Sequence, residues 1–196
     1  MRLNNASKFK PYYDNQSQWL RINSYASTGQ AIQAPFTFYY VRDNDWSESH
    51  NWDYWNKNFT TAVDANNYTT LKTIYSPSPS GYVEPKTAAF TGFTSTGAYT
   101  NNSSQFNVSG IWNRGWNFYT NGWKTGSTIF FDALGYRDTY GGATGAVAYV
   151  GENGIYWSAG AYSASYGRDL DFGSGGVYPQ DADTRSYGFS VRSVKE

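Results

Sequence analysis

Short runs of β-forming residues, each about four to eight long and each cut by Gly, Pro, Asp or Ser, dominate this chain and limit its fold more than any other feature. FTFYYV (36–41), STIFFDALGYRD (127–138, broken at Gly135), GAVAYVG (145–151), GIYWSAG (154–160), RDLDFGSG (168–175) and YGFSVRSVK (187–195) all read as strands. Apolar residues almost never recur at helical spacing. The best helical stretches are DYWNKNFTTAVDA (53–65) and SHNWDYW (49–55), both interrupted by polar or aromatic residues. The Gly residues alternate with large side chains instead of forming flexible Gly/Ser tracts. This predicts a single α+β domain over 1–196, loop-rich, with small antiparallel sheets and one or two short helices. Residues 1–31 are left as an N-terminal arm. The Pro-dense SPSPSGYVEP (76–85) reads as a structured turn leading into TAAFTGF.

Composition removes several functions. Aromatics make up 20% of the chain and charged residues only 15%, which argues against disorder. A formal net charge of zero gives no electrostatic reason for a nucleic-acid partner. With no cysteine, thiolate metal sites and thiol nucleophiles are excluded, and with His50 as the single histidine so is a multi-histidine centre. No stretch approaches the roughly 20 apolar residues of a membrane helix, so no membrane insertion is expected. The start, MRLNNASKFK, lacks the apolar core of a secretion signal. That suits a cytoplasmically made protein, a virion component, or a domain cut from something larger.

Carboxylates cluster as Asp43, Asp45, Glu48 and Asp53, and again as Asp169, Asp171, Asp181 and Asp183. Glycosidases work with two such groups, and residues two apart on a strand share a face. A solvated strand looks the same, so no catalytic residue is assigned. The runs DND (43–45) and DAD (181–183) are oxygen-rich but lack the spacing of a calcium loop, and turn chemistry explains them equally well. No metal ligand and no cofactor is assigned.

The C-terminal forty residues carry the strongest signal. Trp157, Leu170, Phe172, Val177, Phe189, Val191 and Val194 read as buried anchors. Between them fall Tyr156, Tyr162, Tyr166, Arg168, Asp169, Asp171, Tyr178, Gln180, Asp181, Asp183, Thr184 and Tyr187, read as an outward, ligand-contacting set. Tyr and Arg are enriched at binding hot spots. An ordinary solvent face favours Lys and Glu, and neither occurs between Gly154 and Arg192.

KTIYSPSPSGYVEPKTAAFTGFTSTG, WNFYTN, STIFFDALGYRD, GIYWSAGAYSA and RSYGFSVRSVKE together resemble the FISUMP family, the Fibrobacter-type major paralogous domain. The likeness runs from about Ile32 to the end and is closest to versions in gut Bacteroidetes surface proteins and their phages. It implies a C-type-lectin-like fold whose C-terminal strands and loops display a ligand surface. It also implies diversification by a retroelement that mutates adenines in the gene's last stretch. Two cysteines common in the family appear here as Ser47 and Ser78. If those cysteines pair, the two serines should be neighbours.

Formylglycine-generating enzymes share the scaffold but need cysteines or a metal, so their catalysis does not carry over. The lectin calcium loop finds only Glu84-Pro85-Lys86 as a counterpart, with Lys where an oxygen is wanted. The expectation is a non-enzymatic binding protein, a phage tail-associated receptor-binding protein on the virion. An adhesin or pilus-tip domain at the bacterial cell surface, or a carbohydrate-active enzyme using paired aspartates, stand as alternatives. The partner would be a host cell-surface protein or glycan. A homo-oligomer is left open, since nothing encodes a coiled coil.

Overall fold

The computed structural model describes residues 20–34, 37–41, 45–47, 49–62, 68–137 and 146–196. In chain order the elements are β1 (Leu20–Asn23), α1 (Thr28–Gln33), β2 (Thr37–Tyr40), β3 (Tyr82–Val83), β4 (Val108–Ser109), β5 (Gly115–Tyr119) and β6 (Thr128–Asp132). There follow β7 (Tyr136–Arg137), β8 (Val147–Ala148), β9 (Gly154–Ala161), β10 (Tyr166–Phe172), β11 (Val177–Thr184), β12 (Ser190–Val191) and β13 (Val194–Lys195). Strand outweighs helix, and most strands pair antiparallel, as the punctuated β-runs predict.

The largest sheet has the order β11-β10-β9-β12, antiparallel except where β12 runs parallel to β9. A second, antiparallel sheet has the order β4-β5-β6. Side chains alternate across a strand, so each sheet turns one set toward the other. Tyr156, Leu170, Phe172 and Val177 from the first meet Trp116, Phe118 and Phe131 from the second, with Phe90, Phe93 and Phe106 closing the core. Phe118 sits edge-on to Phe172 at 5.4 Å and stacks on Phe93 at 4.0 Å. The Trp116 indole N–H is satisfied by the Gly173 carbonyl at 3.0 Å, which lets a polar-tipped ring lie inside. Burial of each such ring contributes on the order of 1.5–3 kcal/mol.

The first sheet is covered on its other face too. Trp157 packs there against Phe189 at 4.4 Å and Trp55 at 6.4 Å. Both faces of β9 are therefore sealed, and all eight of its residues are buried. β11 forms the edge, which is why Pro179 is tolerated within it. Between the pairs Asp169–Asp181 and Asp171–Tyr178, β11 carries one residue more than β10, a bulge that kinks the hairpin.

Of the anchors read from the sequence, Trp157, Leu170, Phe172 and Val177 are buried. Phe189 and Val191 are half-buried, and Val194 is exposed because β13 pairs only with the two-residue β3 at the surface.

The expected helix over 49–62 does not form; the stretch is a series of turns, and residues 63–65 lie outside the described residues. Asn56 explains the difference. Its fully buried side chain donates to the Thr69 carbonyl and accepts from the Leu71 and Asn58 N–H groups, holding the backbone in a non-helical path. The helix that does form, α1, starts on a capping box in which Ser27 and Gln30 each satisfy the other's backbone N–H.

The Pro-dense turn is ordered by Glu84, whose buried carboxylate accepts from the Ser76 hydroxyl at 2.7 Å and the Ser78 N–H at 3.3 Å. Ser78 and Ser47 do not bond each other. The Ser47 hydroxyl lies with those of Ser49 and Tyr54, while Ser78 Oγ meets Ser193 Oγ at 2.8 Å. The hydroxyl partner of Ser78 is therefore Ser193. Ser78→Cys with Ser193→Cys is expected to oxidise to a disulfide and raise stability by about 2–4 kcal/mol. Free-thiol titration and denaturant unfolding check this; two thiols that stay reactive under oxidant would contradict the geometry.

Candidate functional site

The hairpin of β10 and β11 carries most of the residues expected to face a ligand, and the structure sorts them. Tyr162, in the turn between β9 and β10, is 47% exposed. The Arg168 guanidinium lies 4.3 Å from its ring centre and also donates to the Gln180 carbonyl at 3.2 Å, so ring and cation hold each other in place. Tyr166 is half-buried one position from the end of the turn, its N–H bonded to Ser163 Oγ.

Tyr178 stacks on Tyr99 at 3.8 Å, and Tyr99 is half in solvent. A hydrogen bond with the neighbouring Tyr99 hydroxyl pushes the Tyr178 hydroxyl up to about 12, so Tyr178 stays neutral. Tyr99 was invisible as a site residue in the sequence. It reaches the hairpin because Thr100 and Val177 exchange backbone hydrogen bonds at 3.1 and 3.0 Å.

Three of the residues expected to face outward are buried, and a fourth, Tyr187, is half-buried. Tyr156 is in the core: it pairs with Leu170, shares that inward face, and donates its hydroxyl to the Asp132 carbonyl at 2.8 Å. Burial pushes that hydroxyl up to about 12. An alternation of inward and outward residues fails on β9 because neither face is open. Asp169 is 1% exposed, flanked on the sheet by Trp157 and Asp181. Thr184 is buried at the end of β11 against the Ser186 hydroxyl. Tyr187 is half-buried in an aromatic cluster, stacked on Phe189 at 5.4 Å and edge-on to Tyr136.

The acidic residues converge. One carboxylate oxygen each from Asp169, Asp181 and Asp183 lies within 4.8 Å of the others. Burial, then the neighbouring carboxylates, push Asp169 well above the usual range. Burial likewise pushes Asp183 up to about 7 and Asp171 up to about 6, with an Asn153 side-chain hydrogen bond partly offsetting the latter.

A second surface feature lies on the Trp157 side of the main sheet. There a groove of about 610 Å³ is lined by Trp46, Trp52, Tyr54, Trp55, Trp157, Tyr187 and Phe189, with Arg185 on its wall. Arg185 ties it together: its guanidinium donates to the Asp45 carboxylate and to the Asn51 and Ala164 carbonyls. Asp45 is fully buried, which pushes its carboxyl up, and Arg185 and His50 pull it back down. The acids around Asp45 are visible as a cluster in the sequence but Arg185 is not, because a partner 140 residues away leaves no local pattern.

No protein-family model, curated protein or solved structure compared with this chain matches it. Among the described residues, no helix is long and apolar enough to cross a membrane.

Proposed function

We propose that this chain is a ligand-binding protein whose site is the outer surface of the β10–β11 hairpin, built on a FISUMP-like, C-type-lectin-like domain. In this reading it is a phage tail-associated receptor-binding protein, with a cell-surface protein or glycan as partner. The observation that carries it is the pre-set pair of exposed ring assemblies, Tyr162 under Arg168 and Tyr178 on Tyr99. Rings already held by stacking lose little entropy when a ligand covers them. The strands beneath are fixed by Leu170, Phe172 and Val177, so the outer residues can vary without unmaking the core.

Two features speak against the paired-aspartate enzyme. The Asp169, Asp181 and Asp183 oxygens lie within 4.8 Å of one another, too close to hold the water an inverting pair needs between them. Asp169 is also sealed from any substrate. The adhesin reading differs in where a ligand would sit: the tryptophan-lined groove suits the faces of a sugar ring, and Trp52→Ala tests it separately.

In a glycan and cell-surface binding screen, Tyr162→Ala and Tyr178→Ala should each cost about 1–3 kcal/mol of affinity with folding intact. Affinity unchanged across Tyr99, Tyr162, Tyr166 and Tyr178 would rule out the hairpin as the site.

A further inference from the structure

We propose that Asp169, Asp181 and Asp183 form a binding site for a divalent cation of the hard, oxygen-seeking class, Ca²⁺ foremost. The inference goes beyond the binding reading above and does not depend on it.

Two observations carry it. Three carboxylates from facing strands bring one oxygen each within 4.8 Å of one another. Two oxygens on opposite sides of one Ca²⁺, each at about 2.3–2.6 Å, are separated by about that span. The second observation is independent of the clustering. Asp169 is 1% exposed, and neither of its oxygens receives a hydrogen bond. The Asp183 N–H turns its dipole toward that carboxylate from outside hydrogen-bonding geometry. A buried carboxylate with no donor is costly and seldom persists without a counter-charge or a coordinated ion. Among the described residues no cation supplies it: Arg168 lies over Tyr162 and bonds the Gln180 carbonyl, and Arg185 is bonded to Asp45.

The backbone explains how the carboxylates meet. Asp169 and Asp181 are direct partners across the hairpin, Gly167 faces Asp183, and a bulge breaks the register beside them. Asp181 keeps one oxygen on the Ala182 N–H at 2.9 Å, which fixes its side chain and leaves its other oxygen for a metal. Asp171 follows two residues along β10 with one buried oxygen that accepts nothing, a fourth carboxylate on the hairpin. The donor set is all oxygen, with no imidazole or thiolate, which selects against zinc and copper. A flexible coordination number and ready loss of water favour Ca²⁺ over Mg²⁺, which demands near-ideal octahedral geometry and holds its hydration shell.

The test uses the whole protein stripped with a chelator. Calorimetric titration with CaCl₂ should give saturable binding of one ion, and added CaCl₂ should raise the melting temperature. Tb³⁺ should bind the same site and luminesce on excitation of the indole, because Trp157 neighbours Asp169 on the sheet. Asp181→Asn and Asp183→Asn, both at partly exposed positions, should each weaken binding by about ten-fold or more, and the double variant should abolish the Tb³⁺ signal. Asp53→Asn, on an exposed turn, should leave both unchanged. Absence of Ca²⁺ heat and Tb³⁺ emission at millimolar metal in the folded wild type overturns the proposal, leaving a shared proton as what relieves Asp169. Binding that survives in the double variant overturns it equally.

Discussion

Arg185→Met lowers the unfolding free energy by about 3–5 kcal/mol, measured by urea denaturation at neutral pH. Asp45 sets the size of this effect. Its side chain is fully buried, and its ionised form rests on the Arg185 guanidinium, with His50 Nδ1 3.5 Å away. Methionine fills much of the arginine's volume but strands a carboxylate where water cannot reach it. The same guanidinium also bonds the Asn51 and Ala164 carbonyls, so its loss frees two backbone acceptors as well. Replacing both partners, Arg185→Met with Asp45→Leu, should recover a large part of the loss, because removing a buried pair is far cheaper than breaking it. A single-variant loss below about 1 kcal/mol would mean that solvent screens the pair as it does at a surface. The groove makes the effect visible in a second way. Arg185 is what pins the 45–55 segment, with Trp46, Trp52 and Trp55, to the C-terminal sheet. Tryptophan fluorescence in Arg185→Met should shift toward that of solvated indole before global unfolding.

Legibility from sequence followed the range of the interactions. β9 and β10 were readable because their runs of β-formers are bounded by glycines and turn residues. β11 was harder to see: VYPQDADT contains a proline and two acids, and its strand character comes from pairing with β10 at a sheet edge. Tyr156 was assigned to the wrong side because strand alternation names two faces without saying whether either meets water. Trp157 on the opposite face is just as buried, covered by Trp55 and Phe189, contacts that no local pattern encodes. α1 went unread since six residues are too few to show a helical period, although the Ser27–Gln30 box was present in the text of the chain. The stretch 49–62 failed in the opposite direction. Its residues tolerate a helix, but Asn56 and the hydroxyl cluster of Ser47, Ser49 and Tyr54 hold it in turns. For the candidate site, the exposed Tyr162 was found from composition and spacing. Tyr99 and Arg185 were not, because each reaches the site by tertiary contact alone.

Gly154→Ala tests the core from the backbone side. Gly154 opens β9 opposite Phe172, and a methyl group built there would meet Phe172 Cζ at 2.2 Å, Cε1 at 2.6 Å and the Asp132 carbonyl oxygen at 2.8 Å. Phe172 is fully buried and cannot swing away. Trp112, Phe118, Phe131 and Tyr156 surround its ring at centroid distances of 5.4 to 6.4 Å. Overpacking against so fixed a ring and a backbone oxygen should cost about 3 kcal/mol, the upper end of such substitutions. Phe172→Ala, which leaves a cavity between the two sheets, should cost about 3–5 kcal/mol. The informative measurement is the double variant. Removing the ring removes the larger part of the clash, and the new methyl fills part of the cavity, so the combined loss should be smaller than the sum by well over about 0.5 kcal/mol. The Asp132 oxygen remains in the way, so the recovery is incomplete. Additive losses would mean that β9 shifts as a unit to admit the methyl group. A strand so free to move could not hold Tyr162 and Tyr178 in a fixed pose, because Tyr162 follows directly on it and the hairpin carrying Tyr178 is paired onto it.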